Sequence, residues 1–467
     1  MNSKMLLGAA GLAGAIVVLG QVTASDRDGK EAVTTSDRAQ VAQSVDVDAT
    51  PAGGADVIVG VLQEYTNYSA SSGYDAYSIG TTSCNKGSVN LSWTANNNQH
   101  PVIGQSMYRL QNGRLEQIGQ AWLKHGFCAL QFNSCGFGCN PAGSGCPQAL
   151  GPGCSDPYSA SRNGQQFGAG PKYQVNASTG FYPYPPANPS FSGSTARRLR
   201  VKISDVTGAG AVGARYFVEG QYVHPQDPPS LGGPANNASY REVTLNSIGN
   251  IDGWGGSTQR EDPAVLAWAA NVAEADVAEV ALSGEGSFWI GSAAFDNGDG
   301  TWDYEYVVYN QNVDRSGGAF SVPLGDNVNV TNIGWNGPEW HSGEPYSNSP
   351  WTWNVTSNSI DFQTETETAN SNANAIRWGT THNFRFTADS GPEDGTGTLG
   401  LFKSGSPTSV TQIVDTPGPN PIDCETDFDG DGSTGFSDLT GLLNNWGCTG
   451  CIYDLDGSGA GFSDLTA

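Results

Sequence analysis

The tightest constraint on this chain lies near its C-terminus, where Asp427-Phe428-Asp429-Gly430-Asp431-Gly432-Ser433 runs on to Asp438. With Asp427 as position one, carboxylates fall at positions one, three, five and twelve, glycine at six, and the Ser433 carbonyl at seven. Hard oxygen donors at this spacing wrap a single Ca2+, and the glycine allows the sharp turn between them. Four carboxylates held close repel by about 1–4 kcal/mol per pair, so such a loop tightens only around a cation. Behind it, Phe436, Leu439, Leu442, Leu443 and Trp446 recur at helical spacing and predict one apolar helix face.

A second copy follows, with Asp454, Asp456 and Ser458 as the matching candidate ligands, and Gly-Phe-Ser-Asp-Leu-Thr recurs at 435–440 and 461–466. This copy is one residue short, which puts Leu465 at position twelve and leaves Asp464 to close an eleven-residue loop. The expectation is one complete calcium site and one partial site in a truncated tail. A missing final cysteine would account for the odd number among Cys424, Cys448 and Cys451.

A duplicated loop-helix after a linker resembles a dockerin, and in detail the GC-type dockerin of planctomycete secreted proteins, whose halves end in Trp-Gly and cysteine. The resemblance implies a Ca2+-dependent anchor to a cohesin-like or other cell-surface protein. It places the ligands at Asp427, Asp429, Asp431, Ser433 and Asp438, then Asp454, Asp456 and Ser458. The partner-reading pair falls on Phe436-Ser437 rather than two small hydroxyl residues, which points away from the cellulosomal cohesins. Four body segments, at 98–103, 122–127, 153–158 and 375–380, also resemble bodies that carry this tail, a likeness that brings no established activity.

The start of the chain reads as a signal peptide over 1–24: Lys4, an apolar run from Met5 to Gly20, then Val22-Thr23-Ala24 before the cut. No second apolar stretch is long enough to span a bilayer, so a secreted, extracellular or cell-surface protein is expected. Residues 25–55 are polar and read as a disordered spacer. The net charge of −25 argues against a nucleic-acid partner, because phosphates would be repelled. Cys84, Cys128, Cys135, Cys139, Cys146 and Cys154 form one block, expected to make three disulfides among fifteen possible pairings.

The body reads as mainly β, disulfide-stapled, with a β-sandwich-like domain, ahead of a small α-helical, EF-hand-like tail. Short strands recur between turn signals, among them Val57–Leu62, Leu199–Ile203, Tyr216–Val223, Phe288–Ala294, Trp302–Asn310 and His382–Ala388. Asn112-Gly113 and Asp299-Gly300 predict hairpin turns, and Asp262-Pro263 starts a helix expected to reach Asn271. The expected divisions are a Cys-rich β domain at 56–225, a sandwich-like domain with one short helix at 226–404, a Ser/Thr/Pro linker at 405–423 and the tail at 424–467.

No nucleophile elbow, zinc-protease helix or phosphate loop is present in the sequence. His100 and His125 flank the hairpin region and, with Asp156, are the candidate metal or acid–base cluster. Local hydrogen bonding of each is the plainer account. Trp335, Trp340, Trp351 and Trp353 gather with Tyr346; Trp351 and Trp353 alternate and are expected on one strand face, either stacking on sugar rings or packing in the core. Arg198, Arg200 and Lys202 alternate too and read as a solvated strand face. Two functional readings therefore compete for the body: a non-catalytic displayed domain, or a polysaccharide-acting hydrolase or carbohydrate-binding protein.

Overall fold

The computed structural model describes residues 54–420, 428, 434–449, 451–455 and 457–461. The signal segment, nearly all of the 25–55 spacer, and Asp427, Asp429, Asp431, Ser433 and Asp456 of the tail lie outside them. The described chain is mainly β, with a short helix Phe436–Asn444 near its end, and no described helix is long and apolar enough to cross a membrane.

The first part contributes β1 (Val57–Ser71), β2 (Tyr74–Asn85), β3 (Leu91–Ser92), β4 (Val102–Gln111), β5 (Arg114–Gln120), β6 (Leu123–His125), β7 (Ala149–Leu150), β8 (Ser155–Tyr158), β9 (Ala169–Gly170), β10 (Leu199–Lys202), β11 (Arg215–Val223), β12 (Ala238–Leu245) and β13 (Ile251–Trp254). Their main sheet runs β1-β2-β10-β5-β4-β11-β12-β13. It curls until its edge strands meet. Asn67 of β1 donates from Nδ2 to the Ile251 carbonyl at 2.9 Å and accepts the Ile251 N–H at 2.9 Å, so one amide side chain stands in for a rung between β1 and β13. Val59, Tyr77, Ile79, Met107, Val201 and Val218 fill the interior.

The β4–β5 hairpin turns at Asn112 (φ 51°) and Gly113 (φ 76°), the paired positive φ of the turn that Asn-Gly predicts. A Cβ on Gly113 would also lie 2.8 Å from the Phe295 ring, so glycine is required there twice over.

The second part is a sandwich built from β14 (Asp276–Leu282), β15 (Gly286–Asp296), β16 (Trp302–Asn310), β17 (Gly317–Pro323), β18 (Val330–Asn336), β19 (Thr352–Val355), β20 (Ser359–Gln363), β21 (Thr380–Ala388), β22 (Pro392–Leu401) and β23 (Ser409–Pro417). One sheet runs β14-β15-β16-β21-β18 and the other β19-β20-β17-β22-β23. Tyr304, Tyr306, Val308, Phe384 and Phe386 meet Phe320, Val322, Ile360, Phe362 and Leu399 between them.

Three expectations need correction. Residues 405–423 are not one linker: β23 pairs with β22 along its whole length, and its Val and Thr residues are strand formers that Ser and Pro disguised. The first sheet does not end near 225. The Pro/Gly-rich stretch after His224 is a connection inside it, leading from β11 to β12, which pair antiparallel. The helix from Asp262 is only Leu266–Ala269, because the turn there closes through i to i+3 bonds from Pro263, Ala264 and Val265.

Successive residues of β16 point opposite ways. Tyr304 and Tyr306 face the sandwich core, whereas Val307 and Tyr309 join Tyr108, Leu115, Phe217 and Trp268 in a second cluster against the curled sheet. Polar groups fix the same seam. Thr381 donates its N–H to Gln117 Oε1 at 2.7 Å, Asn383 Nδ2 donates to the Leu115 carbonyl at 2.7 Å, and Arg114 pairs with Glu305.

The cysteine block pairs as Cys84–Cys135, Cys128–Cys146 and Cys139–Cys154. Cys448 and Cys451 pair in the tail. The separations of 18 and 15 residues in the second and third bridges correspond to about 3 kcal/mol of restriction on the unfolded chain each.

Asn67→Ala should lower unfolding stability by about 1–3 kcal/mol, because it leaves both backbone groups of Ile251 without their partner. Urea denaturation measures this, and an unchanged midpoint would refute the closure role.

Candidate functional site

Of the eight candidate calcium ligands, three are described. Asp438 lies in the first turn of the tail helix and is buried. Its Oδ1 accepts the Phe428 N–H at 2.7 Å and its Oδ2 accepts the Gly435 N–H at 2.6 Å, so one carboxylate ties the loop's second residue to the residue before the helix. Asp454 Oδ1 accepts the Gly459 N–H at 2.9 Å in the second copy, where Ser458 is exposed. The copies lean on each other: the Phe428 and Tyr453 rings are 4.7 Å apart, and Gly447 and Ala460 share a backbone bond of 2.7 Å. The helix does not bury one apolar face. Leu442 is buried, while Phe436 is 83% exposed and Leu443 56%, so the apolar residues divide between an inner row and an outer one.

His100 and His125 do meet. The Thr94 carbonyl can only accept, so His100 Nδ1 carries its proton toward it at 2.9 Å; His100 Nε2 then accepts from His125 Nδ1 at 3.0 Å. This chain of donors is satisfied with both rings neutral. Burial lowers His100 to about 4; burial, then His100 and Lys124, lower His125 to about 3. Asp156 does not join them. It sits on β8, accepts the Leu130 N–H at 2.8 Å, and is pushed well up by burial. Among the described residues no group of three or more His, Cys, Asp or Glu side chains could hold a metal ion.

The tryptophans form no platform. Trp351 precedes β19, lies in the sandwich core and donates to the Asn374 carbonyl at 2.6 Å, whereas Trp353 within β19 is exposed. The two therefore do not share a face. Trp340 is buried against Tyr346, with ring centroids 4.8 Å apart, and Trp335 donates to His382 at 3.2 Å.

The basic stripe is where the structure departs most from expectation. Leu199 and Val201 of β10 point into the core, as the alternation requires, but the outward residues are not a free solvated row. The Arg198 guanidinium stacks 3.4 Å from the Tyr68 ring centre. Arg200 and Lys202 line a polar cleft of about 220 Å³ where the segment after β18 crosses β5 and β10. That segment is anchored at Gln120, whose carbonyl accepts from His341 Nε2 at 2.7 Å and whose Nε2 donates to the Glu339 carbonyl at 2.9 Å.

The cleft gathers three cations, Arg109, Arg200 and Lys202, and three carboxylates, Glu116, Asp205 and Glu339. Arg109 holds Glu116 at 2.7 Å and Asp205 at 3.4 Å on its two terminal nitrogens. Glu339 takes Lys202 at 2.8 Å and the Tyr74 hydroxyl at 2.7 Å. Burial raises the Asp205 carboxyl despite Arg109. Burial also acts to raise Glu339, but hydrogen bonds from Lys202 and Tyr74 outweigh it and hold it low. Sequence reasoning singled out only Arg200 and Lys202 here. Glu339 lies 137 residues beyond Lys202, and no local pattern connects them.

No protein-family model matches the chain, and no curated protein does. Solved structures similar to it include the exo-chitosanase of Amycolatopsis orientalis, at 13% identity over 72% of this chain and 25% of that one, with a TM-score of 0.16. A second structure, of its complex with PNP-beta-D-glucosamine, is 10% identical with the same coverage and score. The chain spans about a quarter of that enzyme's length, and a likeness this low carries no argument about fold or activity.

The histidine pair sets a pH dependence. The folded state keeps both rings neutral where the unfolded chain takes up protons, below about 6.5. This contribution is whole above that value and is lost as pH falls toward about 4. Burial acts with the opposite sign on Asp227 and Glu344, each raised to about 7; theirs is present at low pH and lost as pH rises through about 7. Imidazole 15N NMR at about pH 5.5, below the ordinary histidine value, should show His100 and His125 both neutral, with the His100 proton on Nδ1. Imidazolium signals there would show that burial does not keep the two rings neutral.

Proposed function

We propose that this is a secreted protein whose C-terminal tail binds Ca2+ and anchors the β-rich body to a cohesin-like or other cell-surface protein, with the body displayed rather than catalytic. The observation that carries this reading is Asp438, the position-twelve carboxylate. It is buried, turned back onto the loop, and bonded to backbone N–H groups near both loop ends. A side chain so placed closes the same loop that Asp427, Asp429, Asp431 and the Ser433 carbonyl would line. The bound ion would supply the positive charge that lets these carboxylates gather. Asp454 and Ser458, with Asp456, would form the partial second site.

Two further features support anchoring. Phe436, Leu443, Trp446 and Ile452 leave apolar surface exposed on the tail, which suits a protein partner. Three disulfides in the body suit oxidising surroundings outside the cytoplasm.

Calorimetric titration of the full chain should register Ca2+ binding, weakened at least about tenfold by Asp438→Ala. Chelation with EDTA should release the protein from its cell surface. Association that persists unchanged in EDTA would overturn the anchoring role, and absence of any Ca2+ binding would overturn the site.

A further inference from the structure

A cation that lines a cavity without a carboxylate ion pair of its own stands open to an anion from outside. In the cleft between β5, β10 and the segment after β18, Arg109 and Lys202 have such partners. Arg200 forms no ion pair among the described residues, although its charge helps to hold Glu339 low. Its guanidinium carbon lies over the Tyr74 ring, 4.5 Å from the centroid, and one N–H is donated to the Trp340 carbonyl at 3.2 Å. Tyr74 is itself held by its bond to Glu339. The fork is therefore fixed in orientation, half-buried, and faces a cavity with donors to spare.

The rest of the lining narrows the ligand. Its charges balance, in a protein of net charge −25, so an anion meets no excess of negative charge there. The carboxylates of Glu116, Asp205 and Glu339 are acceptors that suit hydroxyl donors. The volume of about 220 Å³ suits one sugar ring, and the polar walls disfavour an apolar guest. One carboxylate and several hydroxyls on a single ring describe a sugar acid.

We propose that this cleft binds a single small sugar acid, a uronate, its carboxylate on Arg200 and its hydroxyls on the surrounding carboxylates. The site belongs to the body and is independent of the calcium tail. Arg200 supplies the specificity for the anion. A neutral hexose would leave its donors without their partner.

Calorimetry of the full chain with galacturonate, galactose and inorganic sulfate tests this. Galacturonate should bind, galactose should not, and sulfate should compete only weakly because it lacks the ring. Arg200→Gln should weaken galacturonate binding by about 10- to 100-fold, the worth of a hydrogen-bonded charge pair, whereas Lys86→Gln should leave it unchanged. Arg200→Lys, which keeps the charge but loses the fork, should fall between and serves if the glutamine variant fails to fold. Equal binding of galactose, no binding of galacturonate, sulfate binding as tight as that of galacturonate, or full affinity in a folded Arg200 variant would each overturn the proposal.

Discussion

Everything in the body depends on a sheet that buries both of its faces. β16 and β21 have few exposed residues, and the two sides of each strand serve different cores. Tyr304, Tyr306 and Phe384 belong to the sandwich; Val307 and Tyr309 belong to the seam with the curled sheet. At about 25 cal/mol per Å² of apolar surface removed from water, buried aromatics such as these dominate the stabilisation. The seam also keeps buried polar groups satisfied. Glu219 accepts the Ala264 N–H at 2.7 Å and the Tyr309 hydroxyl at 3.2 Å, and burial raises it to about 7. Because the seam brings the segment after β18 over β5 and β10, the cleft exists only where the two parts join.

What could be read from the sequence follows from the range of the interactions. The β-rich class, the Asn112-Gly113 hairpin and most strand centres were legible, since alternation and turn residues act over a few positions. The strands that went unread had mixed patterns: β14 sets Asp276 and Glu279 three apart among Val and Ala, and β23 hides among Ser, Thr and Pro. Disulfide formation in the Cys block was legible, but which cysteine meets which was not, because a fold brings the partners together.

The site was legible in the same uneven way. The approach of His100 and His125 was the less plain of the two readings their positions around one hairpin region allowed, and Asp156 went elsewhere. The alternation of Arg198, Arg200 and Lys202 was correct about direction and wrong about surroundings. What faces a strand is set by a segment more than a hundred residues away, here Glu339 and Trp340. The tail is the reverse case, with a ligand pattern contained in twelve consecutive residues, from Asp427 to Asp438.

The account rests most on the claim that the curled sheet and the sandwich form one cooperative body through β16 and β21. Hydrogen exchange along a denaturant series measures this directly. Amides of β4 and β11 on one side and of β17 and β22 on the other should lose protection with the same opening free energy. Two separate opening steps, with the sandwich melting while β4 and β11 stay protected, would contradict it.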